Sequence, residues 1–196
     1  TYSEQVTIGD IPGASSTNNI KIVGNGADKA TITHSTSSSS NYATVTLNGA
    51  KYITIDSMTI EAGSRSSGYG ATVWFTNGAD SNTISNCDLI SDPGSPSSAR
   101  WNVVFSNSTS SAFTTGASGN YNTLLNNYLR GGYAGIWQYS STSSSSSTWS
   151  SGTTVENCGI YKTGYGVYFR GASDKDFVGN TIDSTSYYAY YNYYSN

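Results

Sequence analysis

The stretch Val45-Thr46-Leu47-Asn48-Gly49-Ala50-Lys51-Tyr52-Ile53-Thr54-Ile55-Asp56-Ser57-Met58-Thr59-Ile60 decides the fold. It holds three very short apolar–polar alternations, Val45–Leu47, Ile53–Ile55 and Met58–Ile60. Alternation with period two puts one side of a segment on a core and the other outside. Gly49, Asn48 and Ser57 supply the corners between the segments. Strands this short cannot stand as isolated hairpins. The unit must therefore bury its apolar side against copies of itself.

Copies run along the whole chain. The Gly-centred corner recurs as Ile11-Pro12-Gly13-Ala14, Thr76-Asn77-Gly78-Ala79, Thr114-Thr115-Gly116-Ala117 and Phe169-Arg170-Gly171-Ala172, with a degenerate copy Ser150-Ser151-Gly152-Thr153. A strand precedes each corner: Val6-Thr7-Ile8, Val73-Trp74-Phe75, Val103-Val104-Phe105, Ile136-Trp137-Gln138 and Val167-Tyr168-Phe169, with Ala189-Tyr190-Tyr191 as an incomplete last copy. A second motif follows: Ile22-Val23-Gly24-Asn25, Ile84-Ser85-Asn86-Cys87-Asp88-Leu89, Leu124-Leu125-Asn126-Asn127-Tyr128-Leu129, Val155-Glu156-Asn157-Cys158-Gly159-Ile160 and Phe177-Val178-Gly179-Asn180-Thr181-Ile182. Unequal spacing between copies suits coils with loops of different length. The pattern predicts an all-β solenoid, a right-handed parallel β-helix of six to seven coils with three short strands each. Stacked at about 4.8 Å per coil, it would be roughly 30 Å long. Residues 1–196 read as one domain, either a segment of a longer solenoid or a filament subunit.

Tyr2-Ser3-Glu4-Gln5-Val6-Thr7-Ile8, Ile11 to Ile20 and Tyr52 to Ile60 carry a family likeness. The chain resembles the parallel β-helix of the pectate-lyase-like superfamily. More closely, it is similar to β-helix modules in large secreted and cell-surface proteins of Bacteroidota-type bacteria. The resemblance implies an extracellular setting and says little of activity, because one fold hosts many functions.

The aligned copies place Asn25, Met58, Cys87, Asn127, Cys158 and Asn180 at one inward corner position. Stacked amides there would hydrogen-bond from coil to coil. Cys87 and Cys158 would sit two coils apart, about 9.6 Å. A disulfide needs Cα atoms within about 7 Å, so both are expected to be free, buried thiols. The outward column reads Thr7, Thr46, Trp74, Val104, Trp137, Tyr168 and Tyr190, beside Thr44, Thr72, Asn102, Gly135, Gly166 and Tyr188. An aromatic stripe on a solvated face marks an interface. It would stack sugar rings or pack against protein, unless the Ser-rich loops fold over it. At the C-terminal end, Tyr187, Tyr188, Tyr191, Tyr193 and Tyr194 continue the column with no capping helix, a candidate assembly end.

Composition narrows the function. Ser, Thr and Asn make 78 of 196 residues, and Lys, Arg, Asp and Glu together only 21, with net charge −3. No basic stripe exists for nucleic acid, and no apolar run is long enough to span a membrane. No charged-then-apolar leader opens the chain, which begins Thr1-Tyr2-Ser3-Glu4. The adjacent Asp pair, Gly-His-Gly and Arg-x-Lys of β-helix polygalacturonases are missing. Asp80, Asp88 and Asp92 share one coil and form no stacked cation site, and His34 reads as a solvated loop residue. Asp174-Lys175-Asp176, the densest charged spot, reads as a turn. A flat Thr array for ice stops at Trp74. No cofactor or metal is expected. The Ser-rich stretches 35–40, 91–98, 106–111 and 140–151 fall at corners. Candidate glycosylation sites are Asn107, in Asn107-Ser108-Thr109, and Ser184. Asp183-Ser184-Thr185 and Asp56-Ser57-Met58 are similar to the Bacteroidota O-glycosylation motif. The sequence therefore points to a structural module of an extracellular filament or adhesin, partnered by its own copies or neighbouring β-helix modules. The alternative is a glycan-binding module or a polysaccharide lyase or hydrolase of the same fold.

Overall fold

The computed structural model describes residues 1–24, 29–34, 42–63, 70–92 and 100–195. Its strands are β1 (Tyr2–Ser3), β2 (Val6–Ile8), β3 (Ile20–Val23), β4 (Ala30–His34), β5 (Ala43–Asn48), β6 (Ile53–Asp56) and β7 (Met58–Ala62). They continue with β8 (Gly70–Thr76), β9 (Thr83–Ser85), β10 (Asp88–Ile90), β11 (Arg100–Phe105), β12 (Thr123–Leu125), β13 (Tyr128–Arg130) and β14 (Ala134–Tyr139). Last come β15 (Ser150–Ser151), β16 (Thr154–Glu156), β17 (Gly159–Tyr161), β18 (Tyr165–Ser173), β19 (Asp176–Val178), β20 (Thr181–Asp183) and β21 (Tyr188–Ser195).

The strands stack in three parallel sheets. Sheet A runs β1-β4-β7-β10-β13-β17-β20, and sheet C runs β3-β6-β9-β12-β16-β19. Sheet B runs β2-β5-β8-β11-β14-β18, with β21 and the short β15 both on β18. The chain is thus a parallel β-helix with three strands per coil, and the Val45–Ile60 unit is one turn of it.

Register carries the core. In sheet B, Val6, Val45, Val73, Val103, Ile136, Val167 and Tyr190 form one column. In sheet C it is Ile22, Ile55, Ile84, Leu124, Val155 and Phe177. In sheet A it is Tyr2, Ile32, Ile60, Leu89, Leu129, Ile160 and Ile182. The middle members are fully buried, and each contributes about 1.5–3 kcal/mol by leaving water. Phe75 and Phe105 stack at 4.4 Å between successive coils.

The corner between sheets C and A explains much of the asparagine content. Ser57, Asn86, Asn126, Asn157 and Gly179 there all have positive φ, between 52° and 67°. Asn tolerates that left-handed backbone better than other side chains do. The next residue is the inward corner position, and Met58, Cys87, Asn127, Cys158 and Asn180 all occupy it. Asn25 lies outside the described residues, and Met58 is opposite Ala30. The column is not a stack of amides. Asn127 Oδ1 accepts the Cys87 N–H at 2.9 Å while its Nδ2 donates to Ile84 O at 2.8 Å. Asn180 does the same to Cys158 N and Val155 O, both at 2.8 Å. Each Asn thus ties its coil to the backbone of the coil before.

Cys87 and Cys158 are free and buried. Burial pushes the Cys87 thiol up to about 11 and raises Cys158 as well. A thiol reacts as its thiolate. Native protein is therefore expected to give no reaction with an aromatic disulfide reagent at pH 8, and two thiols in denaturant. Fast labelling of the native chain would contradict the packing.

Three sequence readings need correction here. Thr44, Thr72, Asn102, Gly135 and Gly166 do not face outward. The ladder steps from Ala43–Ala71 to Val45–Val73, and the residue between turns in. Thr44 donates to Glu61 O at 2.6 Å and Asn102 to Gly131 O at 2.9 Å. A Cβ on Gly135 would lie 2.5 Å from Ile160 Cγ2. Second, Gly152 is not a copy of Gly171, because Ser150 pairs with Ala172 and Gly152 N–H donates to Ser173 O. The 141–149 insertion displaced that copy. Third, His34 is the half-buried last residue of β4, opposite Ala62, not a solvated loop residue.

Candidate functional site

The outward column begins as expected: Thr7, Thr46, Trp74, Val104, Trp137 and Tyr168 stand in register. Thr7 is exposed, but from Thr46 to Trp137 the column is buried. Trp74 and Val104 are 0% accessible and Trp137 3%. The segment after β11 folds back over them. Trp137 Nε1 donates to Ala112 O at 2.9 Å. The Phe113 ring meets Trp101, Trp137 and Tyr139 edge-on at 6.4, 5.3 and 5.8 Å. Ser106 Oγ anchors the segment at Ser111 O, 2.6 Å away. On the other flank Tyr42 tilts against Trp74 at 6.2 Å, and Trp101 meets Trp74 edge-on at 6.0 Å. Ala43, Ala71 and Ala134 leave room for these rings. The result is a second, satellite core, with no ring faces left open for sugars at Trp74 or Trp137.

The band emerges only in the last coils. Tyr168 stacks on Trp137 at 3.9 Å, and Tyr191 stacks on Tyr168 at 5.0 Å. Tyr191 continues the outward column. Tyr190 does not: it pairs with Val167, and its ring turns inward against Phe169 and Phe177 at 6.0 and 5.4 Å. Tyr188 pairs with Tyr165, not with Gly166. The small residues set this register, because a Cβ on Gly166 would collide with Ala189 O.

Beside the column, Tyr133, Tyr165 and Tyr187 form a ring cluster, with centroids 5.3 to 6.1 Å apart. Burial, then the neighbouring Tyr165, pushes the Tyr133 phenol up to about 12. Arg170 holds β21 down. Its guanidinium lies 5.0 Å over Tyr139 and 5.2 Å over Tyr193, and it donates to Tyr139 Oη at 3.0 Å. Of the candidate end residues, Tyr187, Tyr188 and Tyr193 are exposed, while Tyr191 and Tyr194 are partly covered.

The solenoid is open at both ends of the described fold. β1, β2 and β3 pair only with the coil above them, and β19, β20 and β21 only with the coil below. Core columns therefore surface. Tyr2 is 59%, Ile22 37% and Tyr190 42% accessible, and Phe177 and Ile182 are only partly buried. Such edges are templates for further strands.

The remaining polar candidates are structural in their geometry. Asp56 accepts from Lys21 at 2.8 Å, Asn86 at 2.7 Å and Ser85 at 3.0 Å. Lys21 first, and Asn86 next, hold its carboxyl well below the ordinary carboxylate range. Because the folded-state value is depressed, the gain is present above about pH 4 and fades as pH falls below it. Asp56→Asn should therefore lower the urea midpoint at pH 7 and show a smaller further drop on acidification from pH 5 to 3 than the parent. An equal acid drop in both proteins would remove this assignment.

Asp174 Oδ2 accepts Ser151 Oγ at 2.8 Å, a corner brace. Asn107 is half-buried, with its Nδ2 lying 2.5 Å from where a Cβ on Gly116 would be. Ser184 is exposed at a φ of 58° in the corner after β20. Ser57 Oγ donates back to Asp56 Oδ1 at 3.3 Å. Among the described residues no three His, Cys, Asp or Glu side chains gather to hold a metal ion, and no helix is long and apolar enough to cross a membrane. Comparison with family models, curated proteins and solved structures found nothing that matches this chain.

Proposed function

We propose that the chain is a non-enzymatic structural module of an extracellular filament or adhesin, lengthened by further β-helical coils added at its ends. One observation carries the reading: the three sheets hold one register through the described coils, so a further coil, of this chain or of another, would continue the same ladders. Exposed apolar layers bordered by unpaired strand edges are costly in water and gain by stacking. Many hydroxyl-bearing side chains and few charges suit a surface that meets water and carries glycans. The sequence lacks the adjacent Asp pair, Gly-His-Gly and Arg-x-Lys of β-helix polygalacturonases. Burial of Trp74 and Trp137 also weakens the sugar-platform alternative.

Light scattering over a wide concentration range, with electron microscopy of the same material, tests this. Mass should rise with concentration, and elongated particles of one solenoid diameter should appear. A single-chain mass at every concentration, together with cleavage or tight binding of a polysaccharide, would replace the reading.

A further inference from the structure

Trp74, Trp101 and Trp137 are buried in the satellite core. Trp149, the fourth tryptophan, is half-buried and belongs to neither core cluster. It stands in the 141–149 insertion, where every other residue is Ser or Thr. The insertion has no core of its own for that ring to fill. It is nonetheless held in one shape. Trp149 Nε1 donates to Ser143 O at 2.8 Å, and its backbone N–H to Ser146 O at 3.1 Å. Ser141 Oγ and Thr148 Oγ1 share a hydrogen bond of 2.7 Å.

A cleft of about 280 Å³ lies between the insertion and the corner of residues 116–120. Trp149 and Thr148 line it from the insertion, Gly116 and Asn120 from the corner. Its size is close to the lower end of ligand pockets, about 300 Å³. The corner is as rigid as the insertion. Gly119, at a φ of 129°, has no room for a Cβ beside Ala79 O. The Asn120 N–H donates to Asp80 Oδ1 at 2.7 Å, and Asn120 Oδ1 accepts the Ser151 N–H at 2.9 Å. Walls set in advance lower the entropy lost on binding. The cleft also reaches buried polar groups. Ser118 and Ser150 line it and are buried. Their hydroxyls lie 2.6 and 2.7 Å from Ser140 Oγ, and Gln138 Nε2 donates to Ser150 Oγ. Gln138 is fully buried, and its Oε1 has no donor among the described residues. This network is one donor short.

We propose that the cleft binds a neutral saccharide, with one face of a pyranose ring on the Trp149 indole and its hydroxyl edge on Ser118 and Ser150. No lining side chain carries a charge, so a uronate or a phosphorylated ligand finds no counter-ion. A wholly apolar ligand would strand the serine hydroxyls. A sugar ring meets both demands, because its C–H face is apolar and its edge is a row of groups that donate and accept as serine does. The site goes beyond the structural role proposed above. It sits on the side wall, where sheet B turns into sheet C, and stacking of coils neither needs it nor blocks it.

Titration of the whole chain with the methyl glycosides of glucose, mannose, galactose, xylose and N-acetylglucosamine, read by tryptophan fluorescence, tests this. At least one should shift the emission saturably, with a Kd on the order of 1 mM for so small a contact. Calorimetry then compares variants, since Trp149→Ala removes the reporter. Trp149→Ala should weaken that sugar about ten-fold and leave the urea midpoint unchanged, while Trp149→Tyr should stay within about three-fold. Ser118→Ala should weaken it about five-fold, and it carries the test should Trp149→Ala fail to fold. No saturable binding of any of these sugars up to about 10 mM, or full affinity in Trp149→Ala and Ser118→Ala alike, would overturn the site. Equal or tighter binding of methyl glucuronoside would overturn the neutral class. Light scattering on the same samples separates this site from the structural reading. Binding by a chain that never associates removes the filament and keeps the cleft, and association without binding strikes the cleft alone.

Discussion

Trp74→Ala is expected to destabilise the chain by about 4 kcal/mol, the cost of deleting a fully buried large aromatic. Trp74 stands on the outward side of its strand, where a solvated side chain could be cut back for about 0.5 kcal/mol or less. It is instead 0% accessible, between Tyr42 at 6.2 Å and Trp101 at 6.0 Å. Alanine would leave a cavity under both rings, and the rigid sheet beneath cannot collapse to fill it. The chemistry predicts a contrast as well. Among the described residues the Trp74 indole N–H has no acceptor, so Trp74→Phe forfeits no hydrogen bond and should cost only about 1–2 kcal/mol in lost packing. Urea unfolding followed by far-UV circular dichroism gives both values. A near-neutral Trp74→Ala would mean that the ring is solvated and the satellite core does not form.

Asn122→Ala should cost about 3 kcal/mol through a different mechanism, the orphaning of buried backbone groups. Asn122 is 0% accessible. Its Oδ1 accepts from Asn82 N at 3.0 Å and Asn82 Nδ2 at 3.1 Å, and its Nδ2 donates to Ala79 O at 2.7 Å. Asn82 repeats the pattern one coil down, accepting from Ile53 N at 3.0 Å and donating to Ala50 O at 2.8 Å. Alanine at position 122 leaves the Asn82 N–H and Ala79 O without these partners, in a place water does not reach. Hydrogen exchange at the Asn82 amide should accelerate together with the fall in unfolding midpoint. An unchanged amide would show that the ladder is not what holds these two coils in step.

That ladder has a signature in the sequence. Asn82-Thr83-Ile84 and Asn122-Thr123-Leu124 repeat the same three-residue phrase, and an Asn just before a strand is a corner residue with backbone to satisfy. The coil register itself was legible from Val6 to Val167, because each unit opens on a Val or Ile two residues before a second apolar or amide side chain. It failed at the last strand. Four of five residues from Tyr187 to Tyr191 are identical, so identity could not fix the register and the tight Gly166–Ala189 contact did. Exposure of the stripe was not legible at all. Alternation says on which side of a strand a side chain lies, whereas Trp74 and Trp137 are covered by rings from residues far along the chain, Tyr42 and Phe113.

The stacking direction also decides how this molecule bears load. Its hydrogen bonds between coils lie along the solenoid axis, so a pull on the two ends loads them one coil at a time, as a zipper opens, and not all at once in shear. The outermost coils of any such stack, with neighbours on one side only, give way first. Each released coil frees some thirty residues, on the order of 100 Å of chain, before the next is loaded. A filament built from such modules would yield by lengthening in steps under tension, a shock absorber in place of a rigid rod.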